Sequence, residues 1–267
     1  MEPSQKLSLV MPRQSPKMSR IYTALEEGWP DAKINSHVYD RFVLWGLIGN
    51  NTEYMKAPYI FCDMPYNGRY DPNNEDWDNT YWRWCYEGLH DNRKLDVPSD
   101  RFETWNMNIE PWRMDGEHVL LCPSSDTMTK FMHNKTSDKW AEDTYNEIKR
   151  YTKRPIKIRY KPRKAGTSGP HVADVPLGSD FDNCFAVVVS GSITAIDALA
   201  SGIPVFSTHN TSPSAWCTNR DLSSINTPQY YDREHLFYNL AYKQYSIKEM
   251  REGICYENSM RFLHNQG

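Results

Sequence analysis

No apolar run in this chain of 267 residues approaches the roughly 20 residues that a helix needs to cross a bilayer. The N-terminus lacks the charged, apolar and small-residue series of a secretory leader. The six cysteines (Cys62, Cys85, Cys122, Cys184, Cys217 and Cys255) include no Cys-x-x-Cys pair. Several fall within apparent strands, so the expectation is free, buried thiols in a reducing cytosol rather than disulfides or a metal site. A net charge of −3 argues against a protein that coats nucleic acid through bulk charge, although residues 149–164 are strongly basic. There is no internal repeat and no low-complexity tract. What remains is a cytoplasmic globular protein, long enough for two modest α/β domains or one large one.

The most informative stretch runs from Cys184 to Thr208. Phe185 to Val189 is a short apolar run, β-branched at Val187, Val188 and Val189, and reads as a buried strand of a parallel sheet. Ser190-Gly191-Ser192 follows, and Ile193 to Ala200 has helical spacing and helix-forming residues. Gly202 is placed to end the helix, and Pro204 to prevent its resumption before a strand at Val205-Phe206. Small residues between a strand and a helix allow an anion to approach backbone N–H groups. Asp197 lies about one and a half turns further on, within reach of a sugar diol. The bland alternative is an ordinary crossover with a capping serine and a solvated Asp.

The segment Ser-Gly-Ser-Ile-Thr-Ala-Ile-Asp-Ala-Leu-Ala-Ser-Gly-Ile-Pro-Val (190–205) resembles the donor site of GT-B glycosyltransferases, in particular those of peptidoglycan and capsule synthesis. In that pattern Ser190, Gly191, Ser192 and Thr194 would bind the donor diphosphate and the acidic residue the ribose. Here the acid is Asp197, one methylene shorter than the usual Glu. Sugar-nucleotide epimerases share a similar pattern. The resemblance implies two small Rossmann-like domains facing each other, with C-terminal helices returning to the first. It covers roughly a tenth of the chain.

The boundaries follow. Residues 1–113 form the acceptor-side domain, rejoined by 246–267, and residues 114–245 the donor-binding domain. In the first, strands are expected at Lys6–Met11, Arg41–Ile48 and Tyr59–Cys62, and helices at Lys17–Glu27 and Glu53–Lys56. Met64 to Arg113 is irregular and rich in Asn, Asp, Trp and Pro, with one strand at Tyr81–Tyr86. In the second domain strands are expected at His118–Cys122 and Ile156–Tyr160, with a helix over Asp138–Tyr151 capped by Ser137. Two helices, Arg233–Tyr245 and Ile247–Leu263, finish the chain, with Ser246 and Glu249 as a capping box between them.

Ligands of open parallel sheets bind beyond the carboxyl ends of the strands. That rule selects Gly49–Asn51, Asp63, Ser124–Ser125, Arg159–Arg163 and Ser190–Ser192. Arg159 and Lys161 alternate along one strand and could both reach a diphosphate; Ser124 would join them. A solvated basic edge strand is the alternative. Cationic side chains can stabilise a leaving diphosphate, so the reading calls for no metal. Asp63, closing a strand, is the candidate general base, and His90 the second; a turn cap and a surface histidine are the plainer accounts. Arg69 would meet phosphate or acceptor. Trp82 and Trp84, in a cluster with Trp77, Trp105 and Trp112, could stack on a sugar or an extruded base, although individual tryptophans are more often core.

Asp63-Met-Pro-Tyr-x-Gly-Arg followed by Tyr-Trp-Arg-Trp (81–84) also resembles uncharacterised glycosyltransferase-like proteins of tailed phages. With the basic run Lys149–Lys164, this resemblance points to transfer from a nucleotide sugar, such as a UDP-sugar, to a 5-hydroxymethylated pyrimidine in double-stranded phage DNA. Expression in the host cytoplasm would follow. Two other classes stay open: a transferase or epimerase of surface-polysaccharide metabolism, and a non-catalytic nucleotide- or DNA-binding protein.

Overall fold

The structure, a computed structural model, describes residues 5–11, 15–68, 76–161 and 176–263. In chain order the first elements are β1 (Leu7–Val10), α1 (Pro16–Gly28), β2 (Ala32–Ile34), β3 (Arg41–Trp45), α2 (Asn51–Tyr54), β4 (Tyr59–Asp63), β5 (Tyr81–Tyr86) and α3 (Asp100–Glu103). Then come β6 (His118–Cys122), α4 (Asp126–His133), α5 (Ser137–Ile148), β7 (Ile156–Ile158), β8 (Cys184–Val189), α6 (Thr194–Ala200) and β9 (Val205–Ser207). The chain finishes with α7 (Glu234–Ala241), β10 (Gln244–Ser246), α8 (Ile247–Arg251) and α9 (Ile254–Leu263).

The chain is mixed α/β and divides into two compact units, residues 1–105 with 237–267 and residues 106–236. The junctions differ from the expected 113/114 and 245/246. Residues 106–113 belong with the second unit because Glu110 N–H bonds to Ala200 O at 2.8 Å and Arg113 N–H to Gly202 O at 2.8 Å.

The first unit holds a six-stranded sheet in the order β10-β5-β4-β3-β1-β2. β1, β2, β3 and β4 are parallel, while β5 runs antiparallel to β4, and β10 antiparallel to β5. β3 stops at Trp45 instead of Ile48 because Gly46 turns the backbone into the left-handed region at φ 57°. β10 replaces the last part of the helix expected to end at Tyr245, because Gln244, Tyr245 and Ser246 pair with Arg83, Trp82 and Tyr81 of β5. The capping box at Ser246 forms: its hydroxyl accepts the Glu249 N–H at 3.1 Å, and Glu249 accepts the Ser246 N–H at 2.8 Å. α1 packs its Met18, Ile21 and Leu25 against the sheet core with Trp29, and α8 and α9 contribute Met250 and Cys255 to the same cluster. Arg101 fastens the return: it donates to both Glu249 carboxylate oxygens, at 2.6 and 3.2 Å, and to the Ala241 and Gln244 carbonyls at 3.0 Å each.

The second unit holds a four-stranded, all-parallel sheet in the order β7-β6-β8-β9. β6 and β8 lie in its centre, and every residue of both is buried, which is why they read as unbroken apolar runs. α4 was not expected, and α5 begins one residue earlier than predicted, with Thr136 rather than Ser137 as its cap. All six cysteines are buried free thiols. Among the described residues, no helix is long and apolar enough to cross a membrane.

Candidate functional site

In the second unit the chain runs from β6 to β7 on one side, then crosses to β8 and β9 on the other. The loops leaving β6 and β8 therefore depart in opposite directions and open a crevice at the carboxyl ends of these two strands. Pro123, which has no N–H to donate, ends β6, and Ser124 and Ser125 follow. Ser125 caps α4, accepting the Met128 N–H at 3.4 Å. Across the crevice, β8 ends in Ser190, Gly191 and Ser192. The Gly191 N–H donates to Ser124 Oγ at 3.4 Å, so the two predicted serine turns meet.

The turn after β8 is held from three directions. Ser207, ending β9, donates its hydroxyl to the Ser190 carbonyl at 3.1 Å. His133, the last residue of α4, places Nε2 at 2.8 Å from Ser190 Oγ. Ser124 takes the Gly191 amide. Ser190 is 0% exposed, so its hydroxyl, expected to bind the donor, faces the protein instead. Ser192, Thr194 and Asp197 are half-buried and remain at the opening. Ser192 Oγ receives the Thr194 N–H at 3.3 Å and lies 3.1 Å from Thr194 Oγ1. The N–H groups of Ser192 and Ile193 meet no acceptor among the described residues. α6 is only seven residues long, so local amides and hydroxyls, rather than a strong axial dipole, give this turn its affinity for an anion.

Sequence reasoning missed His133 and His209. α4 ends at His133 because Asn134 takes the left-handed conformation at φ 55° and returns its N–H to Lys130 O at 2.9 Å. The His133 ring stands edge-on to His209 at 5.4 Å and 6.0 Å from the Trp140 ring, whose Nε1 donates to Thr208 Oγ1 at 3.1 Å. A last-turn position favours an imidazolium. Burial overrides it, with His209 and Lys135 adding to the effect, and moves the His133 pKa down to about 4. His133 is neutral at pH 7.

The basic strand behaves differently from its expectation. β7 ends at Ile158, before Arg159, and Arg159 pairs with Asp180, so its guanidinium is already neutralised. Lys161 is exposed. Arg163 lies outside the described residues, as does Arg69.

In the first unit, Asp63 and His90 converge on one side chain. Arg83, 2% exposed, donates to Asp63 Oδ2 at 3.2 Å, and its other terminal nitrogen lies 2.9 Å from His90 Nδ1. Arginine carries only donors, so this geometry assigns His90 Nδ1 as the acceptor. Asp63 Oδ1 receives the Met64 N–H at 2.8 Å, and its side chain stays 25% exposed at the carboxyl end of β4. His90 is no surface histidine: it is 3% exposed, with Tyr66 OH 3.5 Å from Nδ1.

Trp82 and Trp84 are corrected outright as stacking platforms. They are 0% and 1% exposed, and β5 sits between β4 and β10 with both faces covered. Trp45 packs on Trp82 at 4.6 Å, and Trp29 on Trp84 at 5.9 Å. No ring face is left for a ligand. Trp112 is covered by Arg233 at 3.8 Å.

Two Asp-x-Asp tripeptides occur in the chain, Asp76-Trp77-Asp78 and Asp180-Phe181-Asp182. Asp78 pairs with Arg251, and Asp180 with Arg159. Among the described residues, no three His, Cys, Asp or Glu side chains form a metal-ligating group.

No protein-family model matches the sequence, and a comparison with curated proteins gives no match. Solved structures do match. The chain is similar in fold to the β-Kdo 2,7-transferase of KpsC from Thermosulfurimonas dismutans, at TM-score 0.51 and 13% identity, over 94% of this chain and 99% of that one. The β-Kdo 2,4-transferase of the same KpsC gives TM-score 0.50 and 10% identity, over 90% of this chain and 92% of that one. At these identities the likeness is one of fold.

Proposed function

We propose that the chain is a glycosyltransferase that uses a nucleotide-sugar donor. The observation that carries this reading is the reversal of strand order between β6 and β8, which brings Ser124 and the Ser190–Ser192 turn to one crevice. The likeness in fold to two sugar transferases, over nearly the whole chain, supports it. In this reading the donor phosphoryl groups lie on the Ser192 and Ile193 amides with the Ser192 and Thr194 hydroxyls, and Asp197 takes the ribose. Lys161, exposed beyond the carboxyl end of β7, is the cation assigned to the leaving group, since Arg159 is committed to Asp180. A UDP-sugar is the first donor to test.

Asp63 is the general base in this proposal. The Arg83 guanidinium orients it, and the exposed part of its carboxylate is the acceptor for the hydroxyl proton. His90 acts through Arg83 rather than on substrate, because it is buried behind it.

For the acceptor, a glycan hydroxyl of the surface-polysaccharide type is favoured, because the similar structures are Kdo transferases. The DNA-base reading loses its aromatic platform with the burial of Trp82 and Trp84. The test is transfer from a panel of radiolabelled sugar nucleotides to acidic and neutral oligosaccharides and to hydroxymethylated DNA. Transfer to a glycan that Asp63→Asn abolishes supports the proposal. Turnover of donor without any acceptor selects an epimerase instead. Binding of sugar nucleotides with no turnover of any kind selects a non-catalytic protein, and labelling of DNA alone restores the rejected acceptor.

A further inference from the structure

We propose that His133 is a positioning residue for the donor turn: by holding the Ser190 hydroxyl inside the protein, it sets the Ser192 and Ile193 amides at the crevice. The proposal rests on the donor reading above but is argued from separate contacts.

Ser190 Oγ has two neighbours, His133 Nε2 at 2.8 Å and Met132 Sδ at 3.7 Å. The hydroxyl donates to the thioether, a weak acceptor, and the remaining bond to the imidazole then runs from Nε2–H to Oγ. That tautomer leaves Nδ1 unprotonated. Both partners come from the last turn of α4, 57 and 58 residues earlier in the chain. Ser190 is completely buried, so its hydroxyl cannot turn to solvent if the imidazole is lost. An unpaired buried hydroxyl costs more than the bond was worth, and the cheapest relief is for the turn to move. The imidazole is itself braced by His209, in the loop that follows β9, and by Trp140 of α5. The turn that would contact phosphate is thus braced by side chains that would never touch it.

The test uses the full chain and UDP as probe. Three variants are compared, His133→Ala, His133→Gln and Ser190→Ala, each first shown to be folded by circular dichroism and thermal melting. Amide hydrogen exchange at 190–193 is measured without ligand, and UDP affinity by calorimetry. His133→Ala is expected to speed exchange of the turn amides and to weaken UDP about tenfold, the effect of one buried hydrogen bond. In a glycosyltransferase assay the donor KM rises by a similar factor while the acceptor KM holds. His133→Gln, whose amide N–H reaches the Nε2 position, is expected to restore most of both. Ser190→Ala is milder, since it removes the hydroxyl that needs a partner. Unchanged UDP affinity in a folded His133→Ala overturns the proposal, whether or not exchange changes. If wild-type protein binds no UDP or any other nucleoside diphosphate, the donor reading falls. The exchange result then separately upholds or refutes the bracing of the turn by His133.

Discussion

Gly202 offers the sharpest test of how the donor turn is supported. It follows α6 at φ +74°, where an L side chain is strained, and a Cβ built there would lie 2.0 Å from the Pro111 carbonyl oxygen and 3.0 Å from its carbon. Backbone conformation alone costs an alanine roughly 1–2 kcal/mol in the left-handed region. The carbonyl cannot swing aside freely, because Glu110 and Arg113 on either side are hydrogen-bonded to Ala200 and Gly202 at 2.8 Å. Overpacking of this kind adds about 1–3 kcal/mol, so Gly202→Ala should destabilise the second unit by roughly 2–5 kcal/mol. Gly178 is the internal control, since a Cβ there meets nothing within 4 Å and its backbone is not left-handed. Gly178→Ala should be neutral or stabilising by less than about 1 kcal/mol. Urea unfolding followed by tryptophan fluorescence, fitted for separate transitions of the two units, gives both numbers. Equal stability of Gly202→Ala and wild type would refute the claim that segment 110–113 is locked against the end of α6.

Three further outcomes are expected. Asp63→Asn should lower transfer by about 10²–10⁴-fold while leaving donor affinity within a factor of two, measured by initial rates and calorimetry; a smaller loss of rate removes Asp63 as the base. Arg101→Lys should destabilise the first unit by roughly 2 kcal/mol in urea titrations, because an ammonium cannot fork onto Glu249 and reach two carbonyls as well. The third concerns pH. The folded His133 pKa, at about 4, lies below the ordinary 6.5, so the unfolded chain takes up this proton first. Its contribution to stability is fully present above pH 6.5 and falls away as the pH drops to about 4. His133→Gln should remove that slope, and an unchanged slope in denaturant titrations across pH 4–7 would show that the histidine is not held neutral by burial.

How much of this was legible beforehand depended on whether the cause of each feature was local. β6 and β5 match their predicted spans because an apolar run bounded by Pro123 and an aromatic-rich run bounded by Glu87 carry their own limits. The sheet reversal that makes the crevice follows from pairing, which no window of sequence displays. α4 escaped notice because it is short and polar, with Thr129 its single fully buried residue. Missing it hid His133, whose partner lies 57 residues away. The error at Trp82 and Trp84 has a related origin. The helix expected to run to Tyr245 left β5 without a partner on one edge; β10 pairs there and brings Tyr245, Ile247 and Met250 into the cluster that buries the two tryptophans. Asp63 was found by its position at a strand end, yet Arg83, which orients it, was read only as part of an aromatic motif. A lone arginine between two tryptophans gives no sign that it will be buried with a carboxylate and an imidazole.

The pairing of β10 with β5 also bears on biosynthesis. A ribosome emits the chain from its amino end, and every strand of the four-stranded sheet leaves the tunnel before Gln244 does. Until then the larger sheet ends at β5, whose Tyr81–Tyr86 backbone has hydrogen-bonding groups open on one side, next to two tryptophans lacking their final cover. The later-made unit can therefore mature first, while the earlier-made one waits for the last strand to arrive. Nascent chains stalled before residue 244 should bind hydrophobic-surface chaperones and aggregate when released, and those extended through α9 should not.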